Sequence, residues 1–374
     1  MSIRIQNKLD LQLSLEVLDM WKNDPLFKPY FHNVGAINCS SSEKGIARLR
    51  WARQILINAK SDLGKTNMTA FTREQVKGWK GVHSQHGGWL AVAKAINAIG
   101  EFLRDQGVKF GFGRAGTFAR LLLSEDGKTC TGVQTLDSTQ HYADKVVLAT
   151  GAWSPALVGL EGQCVSKARV FAHIQFTPEE AAKFRNTPVI YDSEFGFFFE
   201  PIEDNIIKVC DEFPGFTRFT SHKLFSTGVA KQVSVPRSHS QHPTDTYLDA
   251  SEANIRKPVA RFLPRFKDRQ LLNRAMCWYT DTADTNLLIC EHPGWTSWQQ
   301  ETRHSTDSSS RHSFKFLPNI GKHVVELIEG TLSHDLAYAW RWRPGGNALK
   351  SGRAAHAKDL ADMPGWKHDR TSKL

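Results

Sequence analysis

The sequence predicts a mixed fold of the α/β plus α+β class. Helix and strand patterns alternate over residues 8–153, beginning with apolar side chains at helical spacing in residues 8–21. Residues 170–212 are dense in short strand patterns, and residues 318–329 have the spacing of a last amphipathic helix. Alternating helices and strands favour a layered α/β domain, and the strand-rich middle favours a second domain interleaved with it.

Proline, glycine and turn residues predict where the remaining helices, turns and loops begin and end. Asn23-Asp24-Pro25 ends the first helix, because proline cannot continue it. The other predicted elements are a helix over 43–56, a helix closed by Gly107, a hairpin turn at Asp126-Gly127, a polar excursion over 216–250, a helix near 251–262 and an irregular tail from about 345.

Composition and charge argue against several classes of protein, including membrane-spanning, secreted and nucleic-acid-binding proteins. With 374 residues, 40% apolar and 23% charged, the chain is typical of a soluble protein of two domains. It has no apolar run long enough to span a membrane and no secretory signal at its amino terminus. The net charge of +10 is accompanied by no zinc-finger or RNA-recognition signature, so a basic surface that steers anionic small molecules is favoured over nucleic-acid binding.

The six cysteines lack the spacing of a metal site or disulfide framework. No CxxC pair occurs, so the sequence predicts no bound metal and favours a reducing compartment. The last three residues, Ser372-Lys373-Leu374, form a peroxisomal address that is specific because it counts only at the carboxyl terminus. A chance polar ending is the alternative; otherwise the peroxisomal import receptor is a partner.

A literal G-x-G-x-x-G occurs at Gly111–Gly116. A dinucleotide fingerprint must open a helix whose terminal amides receive the pyrophosphate. Here the glycines lead into Thr-Phe-Ala-Arg-Leu-Leu-Leu, which has the pattern of a strand. The sequence therefore predicts a β-turn connection at this motif.

Seven blocks spread over nearly the whole chain form an ordered set. They are WKNDPLFKPY (21–30), GWKG (78–81), GFFFEP (196–201), KVCDEFPG (208–215), MCWYTDT (276–282), HSFK (312–315) and WRWRP (340–344). Together they resemble the sarcosine oxidase and amadoriase branch of the flavin amine oxidases, and fructosyl amino acid and peptide oxidases are the nearest match. The resemblance implies FAD-dependent oxidation of the C–N bond of glycated amines by dioxygen, with hydrogen peroxide as product, in a monomer.

Two alternatives stay open at this stage. One is an oxidase of another secondary amine, such as sarcosine or pipecolate. The other is a truncated, non-catalytic homologue that binds anionic small molecules or partner chains through its basic surface.

The resemblance assigns Cys277 as the site of a covalent thioether bond to FAD, which requires an accessible, easily ionised thiol. A buried strand cysteine is the alternative. Lys208 and Glu212 are implied to be catalytic, since the fixed cation favours electron transfer to dioxygen and the glutamate contacts the substrate amine. Spaced four apart on a predicted strand, the two side chains can share a face; a solvated surface ion pair is the alternative.

Further residues are assigned to FAD and substrate in the same way. Thr150, Gly151 and Ala152 follow a strand and are implied to lie beneath the cofactor, where glycine permits close backbone approach; a plain glycine turn is the alternative. The additional implied FAD contacts are Ser313, Phe314 and Lys315, and the implied binders of the substrate carboxylate are Lys315, Arg343 and, as second choice, Arg341. For the two arginines, a place in a generally basic tail is the alternative.

The sequence departs from the family pattern in two places. Family members begin with a strand, a G-x-G-x-x-G turn and a helix, which have no counterpart ahead of the WKNDPLF block, so the resemblance implies an incomplete FAD-binding Rossmann-like domain. We therefore expect this chain to bind FAD poorly or not at all and to have little oxidase activity. Residues 294–312 replace a Gly-rich loop and have the composition of a disordered insertion.

The expected domains are 1–82 (substrate domain), 83–160 (FAD-binding domain without its first βαβ unit), 161–285 (β-rich substrate domain), 286–345 (FAD-binding domain) and 346–374 (tail with the peroxisomal signal).

Overall fold

The structure of the chain is a computed structural model with full side chains. It describes residues 8–58, 68–70, 80–192, 194–211, 215–223, 229–237, 242, 248–284, 286–294, 299–303, 314–350, 356–364 and 366.

The helices fall where apolar periodicity places them. They are α1 (Lys8–Asn23), α2 (Glu43–Asn58), α3 (Val92–Asp105), α4 (Ser154–Leu157), α5 (Pro178–Ala182), α6 (Asp249–Phe262), α7 (Leu317–Ile328) and α8 (His334–Trp340). Helix α1 ends at Asn23, just before the predicted proline stop. Its buried Val17 and Trp21 pack with apolar side chains of α7 and α8, forming a helical core. Within the described ranges, no helix combines the length and apolar character needed to cross a bilayer.

The strands follow in chain order. The first ten are β1 (Phe31–His32), β2 (Ala36–Ser40), β3 (Met68–Ala70), β4 (Lys80–Ser84), β5 (Trp89–Leu90), β6 (Phe118–Leu123), β7 (Cys130–Thr135), β8 (Gln140–Tyr142), β9 (Val146–Val147) and β10 (Cys164–Gln175). The others are β11 (Val189–Asp192), β12 (Gly196–Phe198), β13 (Ile206–Cys210), β14 (Phe216–Thr217), β15 (Phe219–Lys223), β16 (Ala230–Ser234), β17 (Leu271–Thr282), β18 (Leu288–Glu291), β19 (Gln299–Arg303) and β20 (Lys358–Asp359).

A mixed ten-stranded sheet is organised around β10, which pairs with β13, β14 and β17. Its order is β20-β14-β10-β13-β12-β11-β2-β4-β3, and β17 pairs with β10 in addition. The β10–β17 and β10–β13 pairs are antiparallel, whereas β11 runs parallel to β2. Smaller sheets are formed by β6-β7-β8, by β18-β19-β9, by β15-β16 and by β1-β5. The predicted α/β plus α+β class is confirmed.

The two faces of β10 have opposite character because successive side chains of a strand point to opposite sides. Ala168, Val170, Ala172 and Ile174 are almost fully buried, and their apolar core also contains residues of α6. The alternate side chains of β10 are charged or aromatic, and their cross-strand partners lie on the same side of the sheet. This polar face carries Lys167, Arg169, Phe171 and His173 of β10, Lys208 of β13, and Cys277, Tyr279 and Asp281 of β17.

Three sequence predictions fail locally. The polar stretch 216–250 contains a hairpin, β15–β16, because paired strands satisfy their backbone hydrogen bonds without needing apolar side chains. Gln299–Arg303 form a strand paired with β18 and β9, where the sequence predicts disorder. In the tail, Lys358–Asp359 add a short parallel strand beside β14. By contrast, the Gly111–Gly116 prediction is confirmed, since a short 3₁₀ turn there leads into β6.

A buried carboxyl lies at the end of β11. Asp192 is fully buried, and its Oδ1 accepts hydrogen bonds from the backbone amides of Glu194 and Phe195, each at 2.8 Å. Its Oδ2 receives a weak contact from Cys39 Sγ at 3.7 Å. Burial raises the pKa of Asp192 from its usual 3.8 to about 7, despite the two amide hydrogen bonds, which act in the opposite direction.

We expect Asp192→Asn to stabilise the protein above pH 7. Because the pKa of Asp192 is raised in the folded state, its stabilising contribution at low pH is lost as pH rises from 3.8 to about 7. The amide keeps an Oδ1 acceptor for both backbone donors and cannot ionise. Chemical denaturation at pH 5 and pH 8 should show the variant gaining about 1–3 kcal/mol over wild type between those values. The exposed Asp204→Asn is the matched control, and an equal pH response of Asp192→Asn and wild type would contradict the expectation.

Candidate active site

Lys208 and Cys277 lie on the same polar face, on either side of β10. Cys277 pairs with Arg169 and Lys208 pairs with His173, and direct antiparallel partners project to the same side. Two strand spacings across and four residues along β10 put their Cα atoms on the order of 16 Å apart. Both side chains therefore project to the same side of the sheet, where one extended planar ligand could contact both.

Cys277 presents an accessible thiol. Its side chain is exposed, whereas the other five cysteines are buried, and all six are free. The alternative of a buried strand cysteine is therefore wrong. A short distance upstream, the β10–β17 register shifts between Phe171 and His173, and Asn273 takes a φ of +47° beside that irregularity.

Lys208 rests on an aromatic ring. Its Nζ lies 4.1 Å from the centroid of Phe171, and no acidic side chain among the residues described lies within ion-pair distance of it. Glu212, its predicted partner, lies outside the described residues. The face that Glu212 was expected to share with Lys208 therefore stays a prediction.

A second cationic group on the polar face escaped sequence reasoning. Lys167 and Asp281 form a fully buried ion pair, and Lys167 Nζ also lies 5.5 Å from the centre of the Tyr279 ring. Arg169 Nε donates a hydrogen bond to the Tyr279 hydroxyl at 3.2 Å. The available signal was a lysine and an arginine two residues apart in a strand pattern that also contains many apolar residues, since unpaired charges are almost never buried.

The Thr150–Ala152 turn is fixed against β10. Gly151 has a φ of +53°, which favours glycine, and open space lies where a Cβ would point. The carbonyl of Ala152 accepts a hydrogen bond from the hydroxyl of Ser166, a β10 residue. Thr150 Oγ1 contacts Ser154 Oγ at 2.6 Å. The turn thus presents open backbone beside the central strand, as a cofactor contact requires.

Lys315 lies in the helical core. It is buried, and its Nζ donates to the Ser14 hydroxyl at 2.9 Å and lies 4.5 Å from the centre of the Phe316 ring. Its carbonyl accepts from the indole of Trp21 at 2.7 Å, and Phe314 packs near that indole. Ser313 lies outside the described residues. The FAD and substrate roles of this segment stay predictions.

Arg343 is held by protein acceptors. Its Nε pairs with Asp284 at 2.9 Å, and Nη1 donates to the carbonyls of Ala339 and Arg341 at 2.9 and 2.8 Å. Nη2 approaches the carbonyl of Leu287 at 3.3 Å. A substrate carboxylate would therefore compete with existing hydrogen bonds at Arg343.

Arg341 is exposed and lies 3.7 Å from the centre of the Tyr338 ring. The two arginines share a cavity of about 480 Å³, lined by Leu9, Asp284, Asn286, Tyr338, Ala339, Arg341 and Arg343. Both remain predicted carboxylate ligands.

The residues present fit a flavin at the polar face. The exposed thiol of Cys277 can form a thioether, Lys208 supplies a cation without a described counter-ion, and the Gly151 turn leaves space for a ligand. Within the described ranges, no group of three or more His, Cys, Asp or Glu side chains is arranged to hold a metal ion. The weak FAD binding expected from the sequence stays a prediction.

The fold agrees with the family to which the chain belongs. The model of the DAO family, FAD dependent oxidoreductases, matches residues 4–327, so the chain is a member of that family of flavin-dependent oxidoreductases.

Within that class, fructosyl peptide oxidases are similar in structure. The structure of fructosyl peptide oxidase from E. terrenum superposes with a TM-score of 0.93 at 63% identity, covering 99% of this chain and 86% of that chain. A modified fructosyl peptide oxidase from Aspergillus nidulans, with 7 additional mutations and in complex with FSA, gives 0.92 at 62% identity, covering 98% and 87%. The L-saccharopine oxidase of Schizosaccharomyces pombe is 29% identical over 353 residues, or 89% of this chain and 79% of that protein. The family predicted from the sequence blocks is confirmed.

Proposed function

We propose that this chain oxidises the C–N bond of fructosyl amino acids or fructosyl peptides. The observation that carries the proposal is the placement of Lys208 and the exposed Cys277 on one face of the central sheet. The 63% identity to a fructosyl peptide oxidase over nearly the whole chain supports the choice of substrate.

The overall reaction transfers two electrons from the substrate to dioxygen. The substrate CH–NH unit loses a hydride and a proton to become an imine, and water cleaves the imine to a free amine and a carbonyl compound. Dioxygen takes up the two electrons and two protons as hydrogen peroxide. The bound flavin would supply the two-electron acceptor that links these halves.

The residues of this chain have separate tasks in the proposal. Cys277 would hold the flavin through a thioether between its Sγ and a methyl carbon of the ring, and the two electrons and two protons released in forming that bond would pass to dioxygen. Lys208 places a fixed positive charge where negative charge develops on oxygen. Glu212 contacts the substrate amine, and Lys315 and Arg343, or Arg341, bind the substrate carboxylate.

A peroxisomal location follows from the same proposal. Ser372-Lys373-Leu374 lies outside the described residues, but an import receptor reads it as a sequence. Delivery to the peroxisome suits an enzyme that releases peroxide, because that compartment is where we expect peroxide to be removed. We further propose that the enzyme acts as a monomer.

We expect a peroxide-coupled assay to rank the substrates. Purified protein supplied with FAD should release peroxide with fructosyl valine or fructosyl-valyl-histidine and much less with sarcosine, pipecolate or saccharopine. Lys208→Met should lower oxygen-dependent turnover by about 100-fold, the cost of removing one preorganised electrostatic group. Lys223→Met, an exposed strand position, is the matched control. Preference for sarcosine, pipecolate or saccharopine would overturn the proposed substrate class, and absence of peroxide from every amine would favour a non-catalytic homologue.

We expect flavin to remain attached through Cys277 after denaturation. Acid-precipitated wild-type protein should retain yellow flavin absorbance, because a thioether bond survives unfolding and is independent of how tightly the nucleotide half is held. Cys277→Ser should release the flavin, whereas Cys130→Ser, a buried position in the β6–β7 hairpin, should retain it. Flavin retained by Cys277→Ser would contradict the assignment of this thiol. A spectrophotometric FAD titration of Cys277→Ser measures the non-covalent affinity that the sequence predicts to be weak.

A further inference from the structure

Two lysines on the polar face are held in different ways. Lys167 is fully buried against the carboxylate of Asp281. Lys208 is half-buried, with its ammonium 4.1 Å from the centroid of the Phe171 ring. A carboxylate cancels the charge of its partner, whereas a ring attracts a cation through its quadrupole and leaves the net charge in place. Among the described residues, the polar face therefore contains one lysine paired with a carboxylate and one lysine held by an aromatic ring.

The position of the Phe171 ring is determined by the sheet. Phe171 and His173 are two apart on β10 and share a face, and His173 is the direct cross-strand partner of Lys208. Phe171 is thus a diagonal neighbour of Lys208, within reach of a long side chain. The ring of Phe171 packs against the buried cluster of Tyr191, Phe197 and Cys210.

His173 supports this ring without adding charge. Its imidazole meets Phe171 edge to face, with ring centroids 5.6 Å apart and an interplanar angle of 82°. Burial, and then the nearby Lys208 ammonium, lower the pKa of His173 to about 4. The imidazole is therefore neutral at physiological pH, and Lys208 is the member of this trio that carries a charge.

We propose that Phe171, supported by His173, is a positioning residue that fixes the ammonium of Lys208 on the polar face without pairing it with any acidic side chain that the structure describes. The consequence for oxygen reduction rests on the proposed function, in which this cation faces the flavin. The contact between the Lys208 ammonium and the Phe171 ring, called the aromatic seat from here on, is a property of the chain and can be tested without cofactor or substrate. An aromatic seat suits this task better than an acidic partner, because a neutralised lysine would offer little stabilisation to developing negative charge.

Stepwise fluorination of Phe171 tests the seat while preserving the shape of the ring. Mono-, di- and trifluorophenylalanine at position 171 progressively weaken the ring quadrupole. A short acetic anhydride pulse on flavin-free protein, read by mass spectrometry, reports the reactivity of the Lys208 amine. We expect Lys208 acylation to rise with each fluorine, reaching about two- to five-fold at the trifluoro stage, as a cation–π contact at a partly exposed site implies. Acylation of the exposed Lys223 should not change.

The same fluorinated series at Phe197 is the matched control, since that ring packs on Phe199 and lies in the same cluster. Phe171→Trp should preserve slow acylation of Lys208, and Phe171→Leu should lose it. Equal acylation of Lys208 across the Phe171 series would overturn the proposal, as would an equal response to the Phe197 series.

The functional consequence has a separate readout. After dithionite reduction of bound flavin, reoxidation by dioxygen should slow in the order of fluorination at Phe171. If Lys208 acylation rises with fluorination of Phe171 but fructosyl amines give no peroxide, the proposed function is rejected and the aromatic seat of Lys208 is supported. A flat labelling response with full oxidase activity would reject the seat and leave the proposed function standing.

Discussion

The antiparallel register of β10 determines which side chains can meet a ligand. This strand pairs with β17 on one edge and with β13 on the other, and both pairings place charged or aromatic side chains on the same face. Because side chains alternate, a slip of one residue in either pairing would turn Cys277 or Lys208 into the apolar core beside α6. The opposite face resists such a slip, since it buries Ala168, Val170 and Ile174 almost completely.

The polar face handles its positive charges in three ways. Lys167 is neutralised by Asp281, Arg169 is bound to the Tyr279 hydroxyl, and Lys208 lies over an aromatic ring. Burying a charge is costly unless it is paired, so the completely buried lysine is the one that has the carboxylate. Lys208 is only half-buried, so solvent still reaches its side chain. Of the two lysines, the one that a ligand can reach, Lys208, is therefore the one that has no described carboxylate partner.

The sequence predicted much of the fold because periodicity reports burial directly. Helices α1, α3 and α7 have clear apolar stripes and were placed to within a few residues. The β15–β16 hairpin was missed because it is largely polar, so its strands lack the apolar alternation that sequence reasoning depends on. The Lys167–Asp281 pair was missed for a different reason: its members are far apart in sequence, and only the β10–β17 register brings them together. Cys277 was found through its motif, and its exposure distinguishes it from the five buried cysteines.

The shared face of Cys277 and Lys208 can be measured directly by cross-linking. A heterobifunctional thiol–amine reagent with a spacer of about 10 Å, attached first to the exposed thiol of flavin-free protein, reaches amines on the same side of the sheet. We predict a Cys277–Lys208 cross-link in the peptide map that disappears in Cys277→Ser. Cross-links from Cys277 only to lysines of other sheets, such as Lys223 or Lys231, would show that the two side chains do not share a face and would contradict the assignment of this face as the active site.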